Sequence, residues 1–164
     1  MSWSRRSPSS GSSDGMPLQS PADLEEYLRA HIPLAAAMDV SVEQVQNEIV
    51  LQAPLEPNLN HRETAFGGSV AAMAILAGWS WTHTRLRAHG RDAHCVIQTS
   101  EVQYDRPIAS TFRTRCDGVT EDEWGRFLRT LDRRGKARLR LEVTIECEGT
   151  IAGSFAGAFV ALAR

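Results

Sequence analysis

The chain has 164 residues, 42% of them hydrophobic, which is enough for one domain with a sizeable core and no need of disulfide or metal staples. Its formal charge of −2 argues against a protein that coats duplex nucleic acid, while leaving room for a local basic patch. The cysteines, Cys95, Cys116 and Cys147, form no Cys-x-x-Cys pair, and an odd, scattered set fits a reducing compartment such as the cytoplasm better than a disulfide framework.

Residues 1 to 19 are rich in Ser, Gly and Pro and read as a disordered tail, with one domain over residues 20 to 164. No apolar stretch follows Arg5-Arg6, so the start of the chain is neither a secretory nor a twin-arginine signal. A first short helix is marked by Ser20 as cap, Pro21 at the first helical position and Asp23 in the first turn. It carries Leu24, Tyr27 and Leu28 on one face, stops at Pro33 and is expected to pack outside a sheet. Met38 to Val45 and Glu48 to Ala53 are β-prone runs around Gln46-Asn47, which predicts a hairpin.

Pro54 and Pro57 lead into a polar loop, Asn58 to Ser69, that empties through Gly67-Gly68 into a segment without formal charge until Arg85. A helix apolar nearly all round in a chain of this composition is a buried one, here predicted from Ser69 to about Leu86, on the order of 27 Å long. Its alanines, glycines and serine make it too weakly hydrophobic for a membrane span. Val70, Ala71, Ala74, Ala77 and Gly78 are small enough for a sheet to curl closely around it. Thr64 or Ser69 can cap it, and Gly90 closes it.

Strands are then predicted over His94 to Asp105, Ala109 to Val119, Lys136 to Cys147 and Thr150 to Ala163. Between the second and third lies a helix from Thr120 to Gly135, opened by the capping box Thr120-x-x-Glu123 and carrying Trp124, Phe127, Leu128 and Leu131 on one face. Arg126, Arg129, Arg133 and Arg134 crowd its later turns. That cluster reads first as complement to the helix dipole and second as a grip for the phosphates of coenzyme A.

Chemistry concentrates in the loop. N–H groups at a helix start, with the positive end of its dipole, suit a carbonyl oxygen that gains negative charge. His61 can move a proton near neutral pH, and Asn58 and Asn60 can hold a water or a carbonyl. Gly67 and Gly68 let a ligand approach where a side chain would block it. As a bare pattern this fits a tight loop capping a core helix as well as it fits a catalytic site.

The run Asn-x-Asn-His-x-x-Thr-x-Phe-Gly-Gly-Ser, Asn58 to Ser69, followed by a small-residue helix ending near Gly78-Trp79, resembles the hot-dog-fold thioesterases of the YiiD C-terminal type, relatives of the wider acyl-CoA thioesterase and dehydratase superfamily. Tyr104-Asp105-Arg106-Pro107 is similar to a strand end that hot-dog enzymes carry beside the acyl site. The resemblance implies an α+β fold, an antiparallel sheet wrapped around one long helix. It also implies a homodimer or dimer of dimers, and an acyl-thioester site between protomers. The implied substrate is an acyl-CoA or an acyl carrier protein thioester, with coenzyme A present only as part of the substrate and no other cofactor. Many relatives hold an Asp or Glu inside the central helix; Val70 to Trp81 has neither. The candidate catalytic residues are therefore Asn60, His61, Glu63 and Asp105, with Asn58, Thr64, Phe66, Gly67, Gly68 and Ser69 contacting substrate. Glu63 reads equally as a first-turn acid on the helix dipole. No metal, nucleic acid or membrane partner is expected. A dehydratase or hydratase of β-hydroxyacyl thioesters, using His61 with Glu63, and a non-catalytic acyl-thioester binding module are the alternatives.

Overall fold

A computed structural model describes residues 19–164; apart from Gln19, the expected tail over residues 1–19 lies outside the described residues. The first helix, α1 (Pro21–His31), begins where expected because Ser20 and Asp23 satisfy one another's backbone N–H groups, each at 3.2 Å. Pro33 does more than stop it. With no N–H to leave unpaired and its φ already set, Pro33 opens a second, single-turn helix, α2 (Pro33–Ala37). The Tyr27 ring stacks on Trp79 at 6.4 Å and lies beside His83 at 5.1 Å. Helix α1 thus packs along β1, where the Val42 N–H donates to Glu25 at 3.0 Å, and reaches the central helix through the Tyr27 ring.

The hairpin forms as β1 (Ser41–Val45) and β2 (Ile49–Ala53), with a bulge between Val42 and Gln44. The central helix, α3 (Gly67–Ala88), runs 22 residues, about 33 Å at 1.5 Å per residue, and so starts earlier and ends later than its apolar stretch indicated. Val70, Met73, Ala74, Ala77 and Trp81 on it are fully buried. Close wrapping is visible at Gly78, where an added Cβ would stand 2.6 Å from Cζ of the buried Phe159 ring. The helix closes as expected through Gly90 at φ 65°, whose N–H bonds to the Arg87 carbonyl at 2.9 Å. Among the described residues no helix is long and apolar enough to cross a membrane.

Beyond α3 come β3 (Ala93–Tyr104), β4 (Phe112–Cys116), α4 (Glu121–Arg134), β5 (Lys136–Cys147) and β6 (Thr150–Ala163). The Thr120 and Glu123 capping box is present, and Gly135 closes α4 at φ 68°. Trp124 of α4 meets Trp81 of α3 edge to face at 5.4 Å, which fixes α4 beside the later turns of the central helix. All six strands join one antiparallel sheet in the order β1-β2-β4-β5-β6-β3. On β5, Ala137, Leu139, Leu141, Val143 and Ile145 face the core as their alternation predicts. Helix α3 touches β2, β3, β4, β5 and β6, so the sheet curls around it in the α+β hot-dog arrangement that the resemblance implies. Strand β3 is an edge: it pairs with β6 alone among the described residues, and Val96 on it is 48% exposed.

Candidate functional site

The loop before α3 is held by backbone bonds at both ends. Phe66 donates to the Asn58 carbonyl at 2.7 Å, Asn60 donates to Thr64 at 2.8 Å, and Ala65 donates to Ile108 at 2.8 Å. Ile108 is buried just after Pro107, so the segment that ends β3 buckles the loop to the core. Asn58 is 1% exposed and directs its amide protons to the carbonyls of Met38 (3.0 Å) and Pro54 (2.8 Å). Its side chain fastens the loop from beneath. Asn60 is likewise engaged: Nδ2 donates to Thr64 Oγ1 at 2.8 Å, while Oδ1 accepts from the N–H groups of Arg62 (2.8 Å) and Thr64 (3.3 Å). This is an asparagine bonding the backbone just ahead of it, the ordinary reason Asn is favoured in turns.

His61, Arg62 and Glu63 form the exposed tip of the loop. Glu63 is in the left-handed region at φ 60°, uncommon for a residue with a Cβ. It precedes the first helical residue by four positions, and no acid stands in the first turn of α3. The reading of Glu63 as a dipole-stabilising helix acid is therefore corrected, because the loop turns back through Thr64 and Ala65 before the helix begins. The capping expectation is corrected too. Phe66 occupies the cap position with extended backbone, and no side chain bonds the helix start: Thr64 Oγ1 accepts from Asn60, and Ser69 is already inside the helix. The first intrahelical bond is from the Val70 N–H to the Phe66 carbonyl at 3.1 Å. No described group accepts from the N–H of Gly67, Gly68 or Ser69, which stand together at the positive end of a long helix.

Two aromatic rings flank those donors. A Cβ on Gly68 would lie 2.3 Å from the Phe66 ring, and one on Gly67 would lie 3.4 Å from the Tyr104 ring. Tyr104 donates its phenolic O–H to the Gly67 carbonyl at 2.8 Å, bringing the end of β3 to the helix start within one protomer. Both rings remain open to solvent, Phe66 at 57% and Tyr104 at 51%. Asp105 follows Tyr104 and is exposed, its N–H bonded to Ala152 at 2.9 Å. The structure thus gathers Phe66, Gly67, Gly68, Ser69 and Tyr104 at one point, with His61 and Glu63 at the tip of the adjoining loop. No hydrogen bond or ion pair joins the side chains of His61, Glu63 and Asp105. Sequence reasoning set Tyr104 beside the acyl site only as part of the Tyr104-Asp105-Arg106-Pro107 resemblance, without a role of its own, and missed Ile108 as the buckle. The available signal was an aromatic at a strand end ahead of Asp-Arg-Pro, followed by one lone aliphatic residue.

Burial pushes the Cys95 and Cys116 thiols up to about 12, which leaves them protonated at neutral pH and inert as nucleophiles. Among the described residues no cluster of His, Cys, Asp and Glu has the makings of a metal site. The arginines of α4 stand away from the loop. Their helix packs on the later turns of α3, where Arg85 lies over both the Trp81 and Trp124 rings, whereas the loop leads into its first.

The chain is similar over most of its length to several solved structures. A protein of unknown function from Chlorobaculum tepidum is 27% identical, with 89% of this chain and 98% of that one covered and a TM-score of 0.82. A putative thioesterase from Shewanella oneidensis is 24% identical, covering 87% and 96% with a TM-score of 0.77. A probable thioesterase from Pseudomonas aeruginosa is 20% identical, covering 92% and 99% with a TM-score of 0.77. At those identities the last two likenesses are of fold. Residues 21–163 match the family described as Putative thioesterase (yiiD_Cterm), and with nearly the whole domain matched, the chain belongs to that family.

Proposed function

We propose that the protein hydrolyses an acyl thioester, carried on coenzyme A or an acyl carrier protein, at the start of α3. One observation carries this reading: a helix of 22 residues begins with Gly67, Gly68 and Ser69 N–H groups that no side chain caps, between two exposed aromatic rings. A thioester carbonyl placed there accepts from those donors, and the bonds strengthen as its oxygen becomes an oxyanion. Water attacks the carbonyl carbon, the carbon–sulfur bond breaks, and a carboxylic acid and a thiol leave. His61, exposed at the loop tip, is the leading base for that water, with Glu63 and Asp105 as the carboxylates that can replace it in the role. Phe66 and Tyr104 give the acyl chain apolar walls. Asn58, Asn60 and Thr64 act by holding the loop.

Two β3 edges of this length, with their exposed apolar side chains, suit pairing into one continuous sheet, which would form a homodimer and set each helix start near its partner. The cytoplasm is the compartment where such substrates and free thiols coexist. Purified protein incubated with a panel of acyl-CoAs should release free thiol. Hydration of enoyl thioesters in its place would mark a hydratase, and tight binding without turnover a binding module.

A further inference from the structure

Outside residues 126–140 the protein pairs most of its described arginines. Arg29, Arg85, Arg91, Arg113, Arg115 and Arg164 each meet a carboxylate. Between Arg126 and Arg140 the pattern reverses: seven cationic side chains stand against a single carboxylate, Asp132, which is held by Arg91 through two bonds of 2.7 and 2.8 Å. In a chain of net charge −2 this is a strongly basic face, and like charges crowded without acids repel one another. The helix dipole accounts for Arg133 and Arg134, in the last turn of α4. It does not account for Arg138 and Arg140 on β5, nor for Arg126, which lies two turns earlier.

Those three line one groove of about 290 Å³ between α4 and β5, with Thr130 beside Arg126 on the same helix face and Val119 and Phe127 among its walls. The topology creates the groove. Strand β4 pairs with β5 only as far back as Arg115 opposite Thr144, so on that side Lys136–Val143 has no strand neighbour among the described residues. Glu123, at the rim, has its carboxylate engaged by the Thr120 N–H at 3.0 Å and Oγ1 at 2.8 Å. None of the three guanidinium groups forms a salt bridge among the described residues; Arg126 only adds to the Thr120 bonds that hold the Glu123 carboxyl below its ordinary value.

We infer that this groove binds the phosphate groups of a small ligand, held by Arg126, Arg138 and Arg140. Planar guanidinium groups grip phosphate oxygens through paired N–H bonds, and three of them around one cavity suit a diphosphate better than a single charge. Nucleoside diphosphates, free pyrophosphate and the nucleotide end of coenzyme A share that chemistry. The inference does not depend on the thioesterase reading, since no residue of the loop or of α3 lines the groove.

Calorimetric titration of the full-length protein with inorganic pyrophosphate, ADP, coenzyme A and 3′-dephospho-coenzyme A tests it. Saturable pyrophosphate binding is expected, weakened about 10-fold or more in Arg126→Gln/Arg138→Gln/Arg140→Gln, but by no more than about twofold in Arg133→Gln/Arg134→Gln, which removes charge outside the groove. ADP binding tightest would identify a nucleotide as the source, and loss of affinity with the 3′-phosphate would identify coenzyme A; both support the site. Absence of saturation at about 10 mM pyrophosphate, or equal weakening in the two variants, overturns it in favour of diffuse charge. Should the triple variant fail to fold by circular dichroism, Arg138→Gln alone, on an exposed strand position, must still weaken pyrophosphate about threefold or more, or the inference falls.

Discussion

His61 is the one imidazole on the loop that leads to the uncapped helix start, and its exposure leaves it free to meet a water rather than serve the fold. His61→Ala should therefore leave thermal stability almost unchanged while lowering kcat for thioester hydrolysis roughly 10²–10⁴-fold with KM little altered. Steady-state kinetics beside Glu63→Gln and Asp105→Asn decides the assignment: near-normal turnover in the histidine variant with loss in either of the others moves the base to that carboxylate. Asn60 looked in sequence like a partner for His61 in catalysis, yet its amide bonds Arg62, Thr64 and Ala65 within the loop. An Asn that holds a turn and an Asn that holds a water have the same spelling. A second residue-scale expectation concerns Asp117, an exposed residue whose carboxyl is raised above its ordinary value first by partial desolvation and then by Glu48, with Arg115 pulling the other way. A raised folded-state value means the folded chain holds that proton more tightly. The group's contribution to stability is present below the unfolded value and lost as pH rises through the folded one. Asp117→Asn should thus raise Tm at neutral pH, by at most about 2 °C, with the gain closing below about pH 4. Scanning calorimetry at both pH values checks it.

At the scale of elements, α3 fits closely into the sheet at Gly78. Because Phe159 is fully buried and cannot swing aside, Gly78→Ala should cost about 1–3 kcal/mol by denaturant titration, against the usual rule that Ala favours a helix. A stabilising effect would mean that the sheet yields more easily than its packing implies. The boundaries that sequence located best are those with chemistry of their own: the Ser20 and Thr120 capping boxes, Gly90, Gly135 and the alternation of β5. The start of α3 was placed two residues late for a physical reason. Two glycines have poor helix propensity and no side chain signals the cap, so nothing local distinguishes loop from first turn. Strand β4 (Phe112–Cys116) is shorter at both ends than its predicted run, Ala109 to Val119: Gly118 at φ 79° turns the chain away after it, and Ile108, just ahead of the run, buries itself and anchors the loop. Contacts of that kind join residues about forty apart and leave no mark on local pattern.

For the whole molecule, the fold was legible because composition, one uncharged helix and a series of alternating strands agree on a single architecture. The candidate site was legible in sequence at the loop and Gly67-Gly68, and less so in its parts, since the approach of Tyr104 to the helix start depends on where β3 ends in space. The exposed edge of β3 carries the assembly prediction. Sedimentation at micromolar concentration should give a dimer, and Val96→Lys at the edge should shift it towards monomer, as charge blunts strand pairing. A monomeric wild type would remove the shared-site arrangement while leaving the helix start intact.

The central claim, that the α3 N–H groups stay uncapped to receive a carbonyl oxygen, is tested most directly by supplying the missing cap. Phe66 already has the extended backbone of a cap residue, and its side chain is largely exposed, so Phe66→Asn should place an amide oxygen on the free donors and stabilise the helix by about 1 kcal/mol. The same oxygen would occupy the seat of the oxyanion. Thermal melts and acyl-CoA turnover of Phe66→Asn, read beside Phe66→Ala, which removes the ring without adding an acceptor, should show Tm rising while kcat falls roughly 10²–10³-fold below the alanine variant. A raised Tm with turnover equal to that of Phe66→Ala would contradict the account, because the donors would then be capped and catalysis indifferent to it.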